Sequence, residues 1–434
     1  MKGVYIRGYN NSDSPSPGNL NVVRLDNIST INTEGNLVSF NYTKITDNGL
    51  YCTNWEEGAI LNGFDGTVRV YCPEFYIKSQ SIEDTRKVWI STIKIDSTWG
   101  HQNALLIDAY RSTILNKVPE DMGYLSTLPV NSAISVVNTE TYCRGGKNNS
   151  SGDQYLLTDP FRSDLGKPRT NVSRANMRTY SRNSGSEMLS YEQYKNIFYW
   201  LYVIEYANFN VQETYNEILI DGQYHQGGLG NGVTTINYDH WNYYNERCPI
   251  TPCGYGNELG NSTGIKQMSI TLPTASGAEP SQVYTFKVPR WRGFDNPFGD
   301  IWTNLDGVII DADSDNHPNN MDYVYICSDP SKYSDNLTED YVKVADRIHA
   351  DGTIKEFDLG NFANIIPIKI GGSNTTYKCD RSHSGNKDRT LRTVLVGGGS
   401  NDGLASGLGY FDSLHSVGTS YSFFGFRSAS LFSS

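Results

Sequence analysis

The chain contains 434 residues, carries a net charge of −11 at pH 7 and is 12% aromatic. This length suffices for one large domain or for two or three ordinary ones. The acidic balance excludes a general affinity for nucleic acid or anionic lipid, because phosphate binding needs clustered Lys and Arg. No segment approaches a run of about 18 apolar residues, so we expect neither membrane insertion nor an amino-terminal signal peptide.

The elements predicted in the first part of the chain are strands. Residues 1–50 alternate short β-like runs with turn clusters such as SDSPSPGN, which predicts a small N-terminal β segment. Residues 65–79 and 87–95 are enriched in β-branched and aromatic side chains, which predicts partly buried strands. From Cys143 to about residue 170 the chain is too rich in turn formers for regular structure.

Two helices are predicted next. Residues 170–185 begin with a Thr/Asn/Ser cap and end at Gly185, and residues 189–207 begin with a cap at Ser190. In the second helix apolar residues recur at helical spacing, at Tyr194, Ile197, Leu201 and Ile204. Further strands are predicted over residues 281–288, 306–311, 321–328, 365–370, 392–398 and 420–430. The pattern as a whole predicts a β-rich protein with two helices and long loops.

No catalytic motif stands out. The seven histidines are dispersed, without an HExxH motif or a Gly-x-Ser-x-Gly elbow. The glycine-rich segment 396–409 lacks the Lys-Ser/Thr ending of a phosphate-binding loop and is interpreted as exposed turns. We therefore expect no enzymatic activity and no organic cofactor.

The acidic segment DADSDNHPNNMD matches part of a calcium-binding loop. Such a loop surrounds Ca²⁺ with oxygen ligands from positions one, three, five and twelve, among others. The residues at these positions are Asp311, Asp313, Asp315 and Asp322. Asn316 replaces the glycine of the pattern, and Pro318 stiffens its middle. Two interpretations stay open: a calcium site and, favoured by these departures, a solvated acidic hairpin loop.

The segment PRWRGFDNPFGDIW, residues 289–302, concentrates aromatic rings, glycines and opposite charges. An arginine between rings can stack and donate several hydrogen bonds, while Asp295 and Asp300 can accept them. The segment is interpreted either as a buried structural girdle or as a ligand pocket. We favour the girdle, because a polar network enclosed among rings specifies one packing.

Four segments resemble, in order, one known family. Residues 291–308 are similar to the (Tyr/Trp)-Arg-Gly-x-(Asp/Glu)-Asn-Pro-x-Gly-x-x-Trp…Asp-Gly segment of phage receptor-binding proteins with a C-type-lectin-like fold, relatives of retroelement variable proteins. Residues 173–212 resemble the two helices of that fold, residues 68–79 the strand that precedes its body, and residues 392–430 its closing pair of strands. The resemblance covers about residues 50–434.

This resemblance implies an α+β fold, with a C-type-lectin-like domain of two helices, mostly antiparallel strands and long loops. Residues 51–434 would form the ligand-binding domain with long insertions. Residues 1–50 would be a separate β segment that serves virion attachment or oligomerisation. Within the domain Arg292 and Asp295 would pin the girdle between the rings of Trp291, Phe294, Phe298 and Trp302.

In such a fold the exposed side chains between the two closing strands form the binding face, here residues 400–422. The ligand-binding residues implied are Ser400, Asn401, Asp402, Tyr410, Asp412, His415 and Tyr421. This mixture of aromatic and short polar side chains suits a recognition surface. The dense run of Asn found in diversified members is missing here, so active diversification is not expected.

The expected function is that of a bacteriophage virion fibre, in the tail or on the capsid, whose C-terminal domain binds a host cell-surface glycan or protein. It would contact other virion proteins and form a homotrimer, and multivalency would strengthen weak single contacts. Three alternatives stay open: a structural decoration protein, a bacterial adhesin, and an enzyme of the formylglycine-generating type, which shares the fold. That enzyme needs a cysteine pair, and in the corresponding half only Cys327 and Cys379 are present, far apart.

Overall fold

The computed structural model describes residues 2–7, 21–24, 44–46, 51–52, 61–64, 66–83, 85–91, 93–115, 121, 123–137, 143–144, 166–206, 249–260, 262–272, 282–312, 317, 320–372, 380–399, 402, 405–421 and 423–432. The stretch after Cys143 that was predicted to be irregular lies mostly outside these residues.

The chain forms many short strands and a few helical segments. The first strands are Lys2–Arg7 (β1), Asn21–Arg24 (β2), Lys44–Thr46 (β3), Tyr51–Cys52 (β4), Val68–Cys72 (β5), Phe75–Ile82 (β6), Thr85–Ser91 (β7), Gly100–Gln102 (β8), Leu105–Asp108 (β9), Thr113–Ile114 (β10), Ala133–Ile134 (β11), Cys143–Arg144 (β12), Glu187–Met188 (β13) and Pro249–Ile250 (β14). The remaining strands are Gly264–Leu272 (β15), Gln282–Trp291 (β16), Phe294–Asp295 (β17), Trp302–Asp311 (β18), Met321–Ile326 (β19), Val342–Ile348 (β20), Gly352–Asp358 (β21), Ile366–Ile370 (β22), Arg381–Ser384 (β23), Leu391–Val396 (β24), Phe411–Ser413 (β25), Phe424–Gly425 (β26) and Ser428–Leu431 (β27). The helical segments are Arg174–Asn183 (α1), Tyr191–Gln193 (α2), the π-helix Tyr194–Leu201 and Tyr202–Tyr206 (α3), with 3₁₀ turns at Gly123–Thr127, Asn257–Leu259 and Pro330–Lys332.

The described strands of the first fifty residues pair with strands that follow them. One sheet has the order β2-β1-β7-β6-β8, and β1 is antiparallel to β7, with Val4 opposite Val88. In a second sheet β3 pairs with β5, with Lys44 opposite Val70. Strand pairing therefore crosses the expected boundary at residue 50.

The largest sheet has nine strands in the order β20-β19-β18-β24-β25-β23-β21-β22, and β26 pairs with β18. Its two end strands, β20 and β22, lie against one another, so the sheet is nearly closed. Only the pairs β18–β26 and β23–β25 are parallel among those in this sheet. The described chain thus has a mixed α+β fold of mostly antiparallel strands, as the sequence predicted.

Strand β18 is the central element, and nine of its ten residues are buried. Several of its polar side-chain atoms form hydrogen bonds inside the core, although Asn304 Nδ2 has no such partner. Thr393 Oγ1 donates to Asn304 Oδ1 at 2.7 Å, and Asp306 accepts two hydrogen bonds from Arg178 at 2.6 and 2.9 Å. A polar residue is tolerated at such depth only when it is paired in this way.

The two predicted helices are present. Ser173 caps α1 by accepting from Asn176 N, and the chain leaves the helix through Gly185, whose φ of +74° favours glycine. Ser190 begins the second helical segment with a capping box to Gln193.

The second helical segment differs from a regular amphipathic helix. After one α-helical turn it continues as a π-helix over Tyr194–Leu201 and then returns to α-helix. All eight residues of the π-helix are buried, so the helix packs on every side rather than along one face. Lys195 stays inside because its Nζ donates to Phe362 O at 2.7 Å and to Asn196 Oδ1 at 3.0 Å.

The segment 289–302 forms the buried girdle that the sequence favoured. Trp291, Phe294 and Phe298 are inaccessible to solvent, and Phe198 of the π-helix packs among them, with ring centroids 4.6 Å from Phe294. Trp302 is also buried, but it packs against Tyr410 at 4.5 Å. The rings therefore join the helix to the sheets.

The charged pairing inside the girdle differs from the expectation. Asp295 pairs with Arg290, not with Arg292, because Arg290 and Asp295 lie opposite one another in the β16–β17 pair. Arg292 lies in the intervening turn with φ +47°, and its Nε donates to Glu205 Oε2 at 2.7 Å. The turn thus leaves Arg292 partly exposed, while its neighbours Arg290 and Trp291 are buried.

Candidate functional site

The C-terminal strands bring distant residues together at one side of the nearly closed sheet. β25 lies between β24 and β23, and it is parallel to β23. In this register His383 of β23 lies beside Asp412 of β25. Tyr410 immediately precedes β25, and the turn that contains Asp402 reaches the same place.

These four residues, His383, Asp402, Tyr410 and Asp412, form what we term the His383 cluster. His383 Nδ1 is 3.4 Å from Asp412 Oδ2, and His383 Nε2 is 3.3 Å from the Tyr410 hydroxyl. The same hydroxyl donates to Asp402 Oδ1 at 3.5 Å. The side chain of His383 is 24% exposed, so the cluster reaches the surface through its imidazole.

Burial shifts the pKa of two residues of this cluster, Asp402 and Tyr410. It raises the pKa of Asp402 to about 6, against the lowering effect of a 2.6 Å hydrogen bond from Gly399 N. Burial, with the neighbouring Asp402 and Asp412 charges, also raises the pKa of Tyr410 well above its ordinary value. Near neutral pH the cluster therefore offers a phenol that stays protonated and a carboxyl group close to its titration point.

A second group, which we term the aromatic group, consists of His415, Tyr421, Phe423 and Phe424. Tyr421 stacks on Phe423 with a centroid distance of 5.1 Å and an interplanar angle of 5°. His415 packs edge-on against both Tyr421 and Phe424, at 5.1 and 5.0 Å. Tyr421 is 44% exposed, so the group presents one aromatic ring held from behind by three others.

The structure separates the predicted ligand-binding residues into two kinds. Asp402 and His415 are partly exposed and Tyr421 is exposed, whereas Tyr410 and Asp412 are 0% and 3% exposed. Tyr410 packs against Trp302, and Asp412 belongs to an internal strand, which corrects the expectation that both side chains face a ligand. Ser400 and Asn401 lie outside the described residues.

Sequence reasoning missed His383. It lies on β23, well before the segment predicted to bind ligand, and only the parallel β23–β25 pairing brings it there. Arg347 fixes this strand from inside, because its Nη2 donates to His383 O at 2.7 Å and its Nη1 to Ser384 Oγ at 3.0 Å. No local sequence motif predicts the contact between His383 and the residues of β25.

Two of the four aspartates of the acidic segment, Asp311 and Asp322, are described, and they lie in different environments. Asp311 ends β18 and lies 3.7 Å from His317 Nε2. Asp322 lies in β19, where it accepts from Arg347 at 3.0 Å and contacts His349 Nδ1 at 2.7 Å. These contacts engage both oxygens of Asp322 and its side chain is buried, so it is neither a solvated loop residue nor an open calcium ligand in this structure. Asp313 and Asp315 lie outside the described residues.

Within the described ranges no three His, Cys, Asp or Glu side chains are grouped so that they could hold a metal ion. Cys327, one of the two cysteines considered for oxygen chemistry, is buried, and its Sγ lies 3.5 Å from Asp329 O. Cys379 is outside the described residues. The described part of the chain also contains no helix with the length and apolar character needed to cross a membrane.

No family model matches this sequence, and no curated protein matches it. The class that the structure defines is a mixed α+β protein with mostly antiparallel strands and a nearly closed sheet. A surface of partly exposed polar and aromatic side chains lies at its C-terminal strands.

Proposed function

We propose that the protein is a bacteriophage virion fibre, in the tail or on the capsid, that binds a host cell-surface receptor through this C-terminal surface. The sequence resemblance to phage receptor-binding proteins supports the virion and the C-type-lectin-like assignment. The arrangement of the His383 cluster and the aromatic group supports the binding role. On this proposal the protein is not an enzyme.

The observation that carries the proposal is the exposed ring of Tyr421. A tyrosine contributes a large apolar face and a hydroxyl with only two rotatable side-chain bonds. Here the stack on Phe423 and the edge contacts of His415 and Phe424 restrict the ring further. A ring held in this way loses little conformational freedom when a ligand covers it.

The proposal also includes attachment to the virion and assembly into a trimer. Residues 1–50 would join the protein to other virion proteins, and three copies would present three binding surfaces. Linked surfaces that engage one cell together bind more firmly than any single contact. The receptor on this proposal is a glycan or a protein of the host surface.

Binding of the purified protein to host cells that adsorb the phage tests the proposal. We expect wild-type protein to bind, Tyr421→Ala to bind at least tenfold more weakly, and Tyr76→Ala to bind like wild type. Tyr76 is a partly exposed tyrosine on β6 and serves as the matched control. If wild-type protein binds no such cells, the receptor-binding role is wrong and a structural decoration protein is the better description.

A further inference from the structure

A small cavity lies next to the girdle. It has a volume of about 10 Å³ and is lined by Arg111, which follows β9, by the Thr251–Cys253 turn and by the girdle residues Asp295, Asn296 and Asp300. One water molecule needs a cavity of about this size. The cavity therefore has room for about one water molecule.

Two charged side chains face this cavity, and each has one polar atom without a hydrogen bond. Arg111 Nε and Asp300 Oδ2 are 3.9 Å apart, which is too far for a direct hydrogen bond. The two side chains are 2% and 6% exposed, so bulk solvent does not reach them. One donor and one acceptor are thus left facing one another.

The remaining polar atoms of both side chains are engaged. Arg111 Nη1 donates to Thr303 Oγ1 at 2.7 Å, and Nη2 donates to Asn296 O at 3.3 Å. Asp300 Oδ1 accepts from Thr251 N at 3.4 Å and from Thr251 Oγ1 at 3.3 Å. These contacts hold both groups in place, so neither is free to rotate toward the other.

We infer that this cavity is a binding site for a single water molecule, which accepts from Arg111 Nε and donates to Asp300 Oδ2. An anion would face the Asp300 carboxylate, and a cation would face the Arg111 guanidinium. Only a group that both accepts and donates satisfies the pair, and a water about 2.8 Å from each atom spans their separation with an angle of about 90°. Such a water joins the chain after β9 to the girdle.

A crystal structure of the full chain tests this inference directly. We expect one spherical density peak within hydrogen-bonding distance of both Arg111 Nε and Asp300 Oδ2. A direct contact between the two groups, with no density between them, would overturn the inference, as would density for an ion or a larger molecule.

A variant gives a second test in solution. Asp300→Glu places a carboxylate one methylene closer to Arg111, so the longer side chain should replace the water. Oxygen-17 relaxation should then count one long-lived internal water fewer than in wild type, whereas Asp346→Glu, an exposed site on β20, should leave the count unchanged. An unchanged count in folded Asp300→Glu would contradict the inference, and the wild-type crystal structure decides the question if that variant does not fold.

Discussion

Arg347 Nη1 lies 3.0 Å from Asp322 Oδ2, and both side chains are almost completely enclosed. The guanidinium lies across the end of β19 and at the same time holds β23, the strand that carries His383. An aspartate whose sequence position matches a calcium ligand is therefore a counterion of the sheet interior. Because a buried charge without its partner is costly, each member of this pair depends on the other.

Asp322→Ala should lower the free energy of unfolding by about 3–5 kcal/mol, because it leaves the Arg347 charge buried and unpaired. Denaturant titration measures this loss. Asp346→Ala on the same hairpin removes only an exposed pair with Lys343 and should cost less than about 1 kcal/mol. If Ca²⁺ raised the melting temperature of wild type but not of Asp322→Ala, Asp322 would be a calcium ligand after all.

Two arginines one turn apart on α1 provide a matched comparison. Arg178 donates two hydrogen bonds to Asp306, which is inaccessible to solvent, whereas Arg182 pairs with Glu187 at the surface. Arg178→Ala should cost about 3–5 kcal/mol, since it leaves Asp306 charged inside the core. Arg182→Ala should cost less than about 1 kcal/mol. Equal losses in chemical denaturation would contradict the assignment of Arg178 as the link between helix and sheet.

Alanine substitutions of Tyr410 and Tyr421, two residues of the predicted ligand-binding set, should have different effects on stability and on cell binding. Tyr410→Ala removes a buried ring that packs against Trp302 and should cost about 3–5 kcal/mol of stability. Tyr421→Ala removes an exposed ring and should change stability by less than about 1 kcal/mol while weakening cell binding. Thermal melts and binding assays on both variants separate these effects. A folded, stable Tyr410→Ala variant that fails to bind would place Tyr410 on the ligand after all.

The stability of the protein should depend on Asp402 between about pH 4 and pH 6. Its pKa is raised from 3.8 to about 6 in the folded state, so the folded protein retains a proton that the unfolded chain releases. This contribution is fully present below the unfolded pKa and is lost as pH rises through 6. Asp402→Asn imitates the protonated form, so it should gain stability relative to wild type, by up to about 3 kcal/mol, between pH 4 and pH 7.

Asp388 serves as a control for the titration of Asp402, because its pKa is shifted in the opposite direction. Burial tends to raise its pKa, but hydrogen bonds from Thr390 and the Arg392 charge hold the pKa below its ordinary value. Its contribution is present above the unfolded pKa and is lost as pH falls. Asp388→Asn should therefore lose stability relative to wild type as pH rises. A pH profile for Asp402→Asn parallel to that of wild type would show that Asp402 titrates normally.

The sequence predicts those parts of the fold that depend on local chemistry. The sequence predicts a helix end at Gly185 and a cap at Ser190, and both are present in the structure. The girdle is foreseeable because rings, glycines and charges are adjacent in the chain. The pairing of Arg290 with Asp295 within the girdle could not be predicted, since it depends on the register of a two-residue strand.

The candidate site was harder to predict, because it too depends on how distant strands pair and pack. Tyr410 and Tyr421 look alike in sequence, and only the packing of Trp302 from another strand decides that the first is buried. His383 reaches its cluster through a parallel pairing between non-consecutive strands, which no local periodicity encodes. The change from α-helix to π-helix at Tyr194 likewise has no signal in the apolar spacing that predicts the helix.

Strand β27 lies between β13 and β9 in its sheet, and Ser428 N donates to Asp108 Oδ2 across 320 residues of chain. Pairing across so long a loop requires a large loss of chain entropy before any contact forms, which slows folding. Until β27 arrives, β9 exposes an open edge on which another chain can form the missing pair. Refolding yield should therefore fall as protein concentration rises, which makes dilute solution and slow removal of denaturant the conditions of choice for recovering the native sheet.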